Sequence, residues 1–98
     1  MEFSGFDWDE GNRAKCRKHG IPTEVIESLF RQGLVILPDE AHSKKEQRFR
    51  AVGRTEQGRA MFVVFTLRRR GIDVLIRPIS ARYMHKKEAD HYAEIYEA

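Results

Sequence analysis

Cysteine is nearly absent from this chain: Cys16 stands alone among 98 residues. One thiol cannot close an internal disulfide, and a structural zinc site wants about four ligands. Cys16 and His19 lie three positions apart on an expected helix, yet no second cysteine joins them. Long apolar runs are missing too. The longest, Ala60 to Leu67, has the length of a strand, far below the roughly 20 residues that cross a bilayer as a helix. The start, Met1-Glu2-Phe3-Ser4, has neither the basic residues nor the apolar stretch of a secretory signal. A cytoplasmic location with no membrane partner is therefore expected. No repeat, low-complexity stretch or Pro/Gly/Ser linker divides the chain, so one domain over residues 1–98 is expected. Clustered carboxylates of the kind that hold a catalytic metal are also lacking, and neither metal nor cofactor is expected.

What the sequence does have is a modest core and unevenly placed charge. Hydrophobic residues make up 41% of the chain, too many for a disordered segment. The net charge is only +3, but the basic residues are bunched. Arg13, Lys15, Arg17 and Lys18 occur without an acid among them, and Lys44, Lys45, Arg48, Arg50 and Arg54 are opposed by Glu46 alone. Arg68, Arg69 and Arg70 are consecutive, with Arg77 and Arg82 beyond. From Glu88 the sign reverses, through Asp90, Glu94 and Glu97. Such bunching suits a polyanionic partner, phosphate first; a solvated surface is the plainer alternative.

The periodicities point to an α+β fold with two N-terminal helices, a four-stranded antiparallel sheet and a C-terminal helix. Asp9 is placed to cap a first helix that ends at Gly20, where a left-handed residue is favoured. Val25, Ile26, Leu29 and Phe30 recur at helical spacing in a second helix, from about Thr23 to Arg31, with Thr23 as its cap. Strands follow at Leu34 to Leu37, at Gln47 to Arg54, at Met61 to Leu67 and at Ile72 to Ser80. The second alternates, the third is nearly continuous apolar, and the fourth carries Pro78, which implies a bulge or an edge there. Short connections between them favour an antiparallel meander. A last helix is expected from Lys86 to Tyr96, with Ala89, Tyr92, Ala93 and Tyr96 inward and His85 as its cap. Trp8, between Asp7 and Asp9, reads as an anchor for the first helix.

Three groups of residues could carry chemistry. Arg48, Arg50 and Arg54 fall on one side of an alternating strand, a ladder of guanidinium forks suited to a phosphodiester backbone. The alternative is a solvated strand whose arginines pair with Glu46 and Glu56. Lys18-His19 ends the first helix; imidazole titrates near neutrality and can exchange protons with a ribose hydroxyl, although cations also gather at helix C-termini for the dipole alone. Arg82-Tyr83 occupies the junction of the last strand and last helix, where Arg82 could stabilise charge at phosphorus and Tyr83 could stack on a base. Either could instead pair with the acidic tail. His42 and His91 look isolated and are read as surface residues.

Taken together, several segments resemble the BrnT family of toxins. They are Phe6-Asp7-Trp8-Asp9, Lys18-His19-Gly20, Pro38-Asp39 with His42-Ser43, Ala51-Val52-Gly53-Arg54, Phe62-Val63-Val64-Phe65-Thr66, and Ile79-Ser80-Ala81-Arg82 ahead of Glu88. The resemblance implies a RelE-like fold and the toxin of a type II toxin–antitoxin pair, an endoribonuclease that cleaves RNA and so inhibits translation; with the RNA's own 2′-hydroxyl as nucleophile, and no carboxylate cluster in the chain, that cleavage is expected to need no metal. It also implies a BrnA-like ribbon-helix-helix antitoxin as partner, with operator DNA reached only through the complex. Lys18, His19, Arg54 and Arg82 occupy the matched positions and are the candidate catalytic residues; Arg48, Arg50 and Tyr83 are the candidate RNA contacts. The chain departs from the family pattern at Glu10-Gly11-Asn12, at Cys16 and at His85. A module that binds RNA or docks an antitoxin without catalysis is the alternative function.

Overall fold

Alternation and capping resolve into a layered α+β fold in the computed structural model, which describes residues 2–42 and 44–97. The order is β1 (Gly5–Phe6), α1 (Glu10–Arg17), α2 (Thr23–Leu29), β2 (Val35–Pro38), β3 (Phe49–Arg54), β4 (Ala60–Arg70), β5 (Asp73–Tyr83) and α3 (Lys86–Tyr96), with one 3-10 turn at Glu40–His42. Ser43, expected within a matched segment, and the side chain of His42, expected at the surface, lie outside the described residues.

The expected four-stranded antiparallel sheet is corrected to a five-stranded mixed one, ordered β1-β5-β4-β3-β2. The additional strand, β1, precedes both helices and runs parallel to β5, with Gly5 opposite Leu75 and Phe6 opposite Ile76. Two residues are too few to show alternation, so backbone pairing alone reveals it: Ser4 N–H donates to the Val74 carbonyl and Asp7 N–H to that of Ile76, each at 2.8 Å. The remaining strands form the expected antiparallel meander. β4 and β5 shift register where Val64 faces Ser80 and Phe65 faces Pro78, which leaves Ile79 as the extra residue. The bulge expected at Pro78 is there, for the reason expected: proline has no N–H to give the ladder.

α1 begins where the sequence says. Asp9 Oδ1 accepts from Asn12 N–H at 3.0 Å, and Asp9 N–H donates to Asn12 Oδ1 at 2.7 Å, so the two residues close the helix start reciprocally. Asn12 is buried, and its amide also donates to the carbonyls of Asp7 and Pro78, at 2.9 and 2.8 Å. A segment that departs from the family pattern thus ties α1 to β5 at the bulge. The chain turns at Gly20 with φ +73°, a conformation that glycine reaches without a Cβ penalty. α2 starts at Thr23, but its cap residue is Pro22 and no side chain caps it. Trp8 does anchor the layer, donating from Nε1 to Glu27 Oε2 on α2 at 2.9 Å.

Both helices seal one face of the sheet. Cys16, Ile26 and Leu29 from the helices meet Ala51, Met61, Val63, Phe65, Ile76 and Ala81 from the strands in one buried cluster. Small residues on β3 permit the close approach: a Cβ on Gly53 would lie 3.3 Å from Leu29 Cδ1 and 3.2 Å from Leu34 Cβ. Cys16 belongs to this core, where burial pushes its thiol up to about 11. Among the described residues, no group of His, Cys, Asp and Glu is arranged to hold a metal ion, and no helix is long and apolar enough to cross a membrane.

Candidate functional site

The other face of the sheet mixes arginines with apolar side chains and is crossed by α3. Cross-strand partners share a face, and the register aligns Leu37 with Arg50, Val52 with Phe62, and Phe62 with Arg82. Arg50, Val52 and Arg54 on β3, Phe62 on β4 and Arg82 on β5 therefore share this side. Arg54 pairs with Ala60, two residues from Phe62 on β4. Strand spacing and rise place the Arg54 and Arg82 backbones about 12 Å apart, on one surface with Phe62 between them. Arginine side chains rooted at that separation can reach one phosphate or two neighbouring ones.

Between α3 and this face lies a groove of about 260 Å³, lined by Leu37, Arg50, Val52, Phe62, Met84, Glu88, His91, Tyr92, Ile95 and Tyr96. The Arg82 guanidinium lies over the Phe62 ring, 4.1 Å from its centroid, and that of Arg54 stands 5.9 Å from the centroid of Tyr92. Aromatic faces hold such cations in place. Larger depressions exist, among them a basic one of about 300 Å³ lined by Lys44, Lys45, Glu46 and Arg48; two others carry less chemistry. One near Phe3 and Ile72 holds no cationic side chain, and in another, beside α1, Arg77 is paired to Asp7 and Asp9.

Both arginines give their fork to a carboxylate of the acidic tail. Arg82 Nη1 and Nη2 donate to Glu88 Oε1 and Oε2 at 2.8 and 2.9 Å, and Nη1 also reaches the Tyr83 carbonyl at 3.1 Å. Arg54 Nε and Nη2 donate to Glu97 Oε2 and Oε1 at 2.6 and 2.8 Å, while Nη1 donates to the Gly58 carbonyl at 2.8 Å. Glu88 accepts from the His85 N–H as well, at 2.9 Å, which fixes the start of α3. The Arg82 guanidinium and then the His85 N–H hold the Glu88 carboxyl down at about 2. Glu97 is lowered by Arg54 in the same way, and each arginine is raised in turn.

The remaining candidates divide between the two faces. Arg50 lies on the groove side, 4.0 Å from the buried Asp39. Arg48 lies just before β3, 3.7 Å from Glu46; of the two carboxylates named as partners of the basic strand, Glu46 serves it, while Arg54 pairs with Glu97 and not with Glu56. Tyr83 pairs with Met61 in the register, on the helix-covered side, and Arg59 lies over its ring at 3.5 Å. Lys18 caps the end of α1 and His19 follows it, both exposed, on the α1–α2 layer. Among the described residues neither makes a side-chain hydrogen bond or ion pair. Lys18 and His19 are thus not brought together with Arg54 and Arg82: the sheet stands between the two layers.

Sequence reasoning passed over His91 and Phe62. His91, read as a surface residue, is exposed and lies at the rim of the groove; its helical spacing from Glu88, three residues earlier, was the signal for that place. Phe62 read only as part of an apolar strand.

The family model that describes the ribonuclease toxin BrnT of type II toxin–antitoxin systems matches residues 8–88. That span takes in Arg54, Arg82 and Glu88, while His91 and Glu97 fall beyond it. Comparison with curated proteins gives no match.

Proposed function

Because the chain belongs to the BrnT family of ribonuclease toxins of type II toxin–antitoxin systems, we propose that it cleaves RNA at the groove between α3 and the sheet. The observation that carries this reading is that Arg54 and Arg82 share one face with Phe62 in register between them, beside a groove that His91 also lines. A ribose 2′-hydroxyl attacks the adjacent phosphorus and the 5′-oxygen leaves, giving 2′,3′-cyclic phosphate and 5′-hydroxyl ends. Arg82 and Arg54 hold successive phosphates and stabilise the charge that builds on phosphorus. His91 takes the proton of the 2′-hydroxyl and solvent water gives one to the departing 5′-oxygen; His19 sits on the opposite layer. Phe62 and Tyr92 offer ring faces to a splayed base. The reaction needs no metal, because the nucleophile is supplied by the RNA.

In the cell this chemistry serves to inhibit translation in the cytoplasm, with a BrnA-like ribbon-helix-helix antitoxin as the neutralising partner. The RelE-like architecture implied by the family fits a sheet with helices on both sides. The test is incubation of the purified chain with single-stranded RNA in excess EDTA, with the product ends identified. Cyclic phosphate ends, lost in folded Arg54→Ala and Arg82→Ala variants, support the reading. Cleavage that persists in both variants removes the site assignment, and binding without cleavage supports the non-catalytic module.

A further inference from the structure

We infer that α3 is an acidic clamp: Glu88 and Glu97 occupy the guanidinium forks of Arg82 and Arg54 in place of RNA phosphates, and RNA must displace them to bind. This rests on the reading of those two arginines as phosphate-holding groups.

Three observations carry it. The helix engages both candidate arginines, one near each end, each through two hydrogen bonds. A carboxylate and a phosphate present the same pair of oxygens to a guanidinium, so the two ligands exclude each other at one fork. Beyond these pairs the helix is thinly held. Tyr92 is its one buried side chain among the described residues, while Ile95 and Tyr96 are 54% and 44% exposed. A helix seated for stability alone would bury a continuous apolar stripe. The ion pairs are themselves partly open to water, with side-chain exposures of 30% and 40% for Arg82–Glu88 and 37% and 34% for Arg54–Glu97. Pairs so exposed are individually weak and yield to a polyanion that offers several phosphates at once. Acid does not open the clamp under ordinary conditions, because both carboxylates are held in the charged form.

The consequence is a chain whose affinity for RNA is set by competition within its own fold. Short RNA that reaches one arginine meets a neighbour still occupied, whereas longer RNA displaces both ends of α3. Ile95 and Tyr96 leave the groove with it.

The test compares Glu88→Gln/Glu97→Gln with the native chain for binding of a fluorescent single-stranded RNA oligonucleotide and for its cleavage. Glutamine removes the charges, and at position 88 it still accepts the His85 N–H, so the helix start is retained. Glu56→Gln/Glu94→Gln serves as the control: it removes two exposed negative charges that hold no arginine. The clamp predicts RNA affinity about tenfold tighter in E88Q/E97Q, with faster cleavage and a much smaller gain in E56Q/E94Q. Equal gains in the two double variants, or no gain in a folded E88Q/E97Q, overturn the clamp. Weakened binding in Arg54→Ala and Arg82→Ala then leaves the site standing without it. Native-like binding in both arginine variants overturns the site, and the clamp with it.

Discussion

The two faces of the sheet are built on opposite principles. On the helix-covered side, Phe65, Met61, Val63 and Ile76 are buried completely against Ile26 and Leu29, and burial of apolar surface does the holding. On the α3 side, arginines from β3 and β5 meet carboxylates from one helix, over a groove with a single buried tyrosine above it. The first face is costly to disturb, because nearly all of its side chains are apolar and buried. The second rests on partly exposed ion pairs and gathers guanidinium groups of the kind that suit phosphate. On the function proposed above, persistence and polyanion binding are separated across one sheet.

The comparison breaks most violently from the sealed side. Phe65→Ala removes a ring that packs on Phe30 and Phe49. It is expected to cost about 3–5 kcal/mol, a large part of the stability of a small domain. Chemical denaturation measures it. On the open side the signature reverses: Arg82→Ala is expected to change stability by about 1 kcal/mol or less while lowering the cleavage rate about 10²–10³-fold. An Arg82→Ala chain that unfolds outright would show that both faces are structural.

His91→Ala sharpens the contrast further. Loss of a proton-transfer group is expected to lower the single-turnover and the steady-state cleavage rates about 10²-fold or more. His19→Ala, on the far layer, is expected to leave both unchanged. The smaller effects concern the attachment of α3 and the fit of α2. The Glu88 carboxyl is depressed from 4.5 to about 2. The stabilisation that it gives α3 is therefore complete above pH 4.5 and lost as the pH falls from there towards 2. Tyr92 and Ile95 resonances followed over that range check this, and Glu88→Gln is expected to abolish the transition. Gly53→Ala is expected to cost only about 1 kcal/mol, through its close contacts with Leu29 and Leu34.

Much of the sealed face was legible in the sequence, because its signals are local. Asp9 and Gly20 bracket α1, the Val25-Ile26-Leu29-Phe30 spacing marks α2, and the continuous run after Ala60 marks a strand covered on both sides. Pro78 announced the bulge. β1 was not legible, since two residues carry no period. The open face was legible only in its parts. The basic strand, Arg82 and the acid-rich tail each stood out, but Arg54 and Glu97 are 43 residues apart, and no periodicity says where a helix lands on a sheet. For the same reason Lys18-His19 and Arg82 looked like members of one site, although the sheet lies between them. Sequence shows which chemistry a segment carries; the crossing of β5 into α3 decides which segments face one another.

Chemical-shift mapping answers most directly whether RNA uses the α3 side. A single-stranded RNA made uncleavable by 2′-deoxy substitution is titrated into the isotope-labelled chain. Perturbations concentrated at Arg50, Phe62, Arg82, His91 and Tyr92 are the expected result. Perturbations confined to Lys18, His19 and the α1–α2 layer, with the groove unmoved, would contradict it.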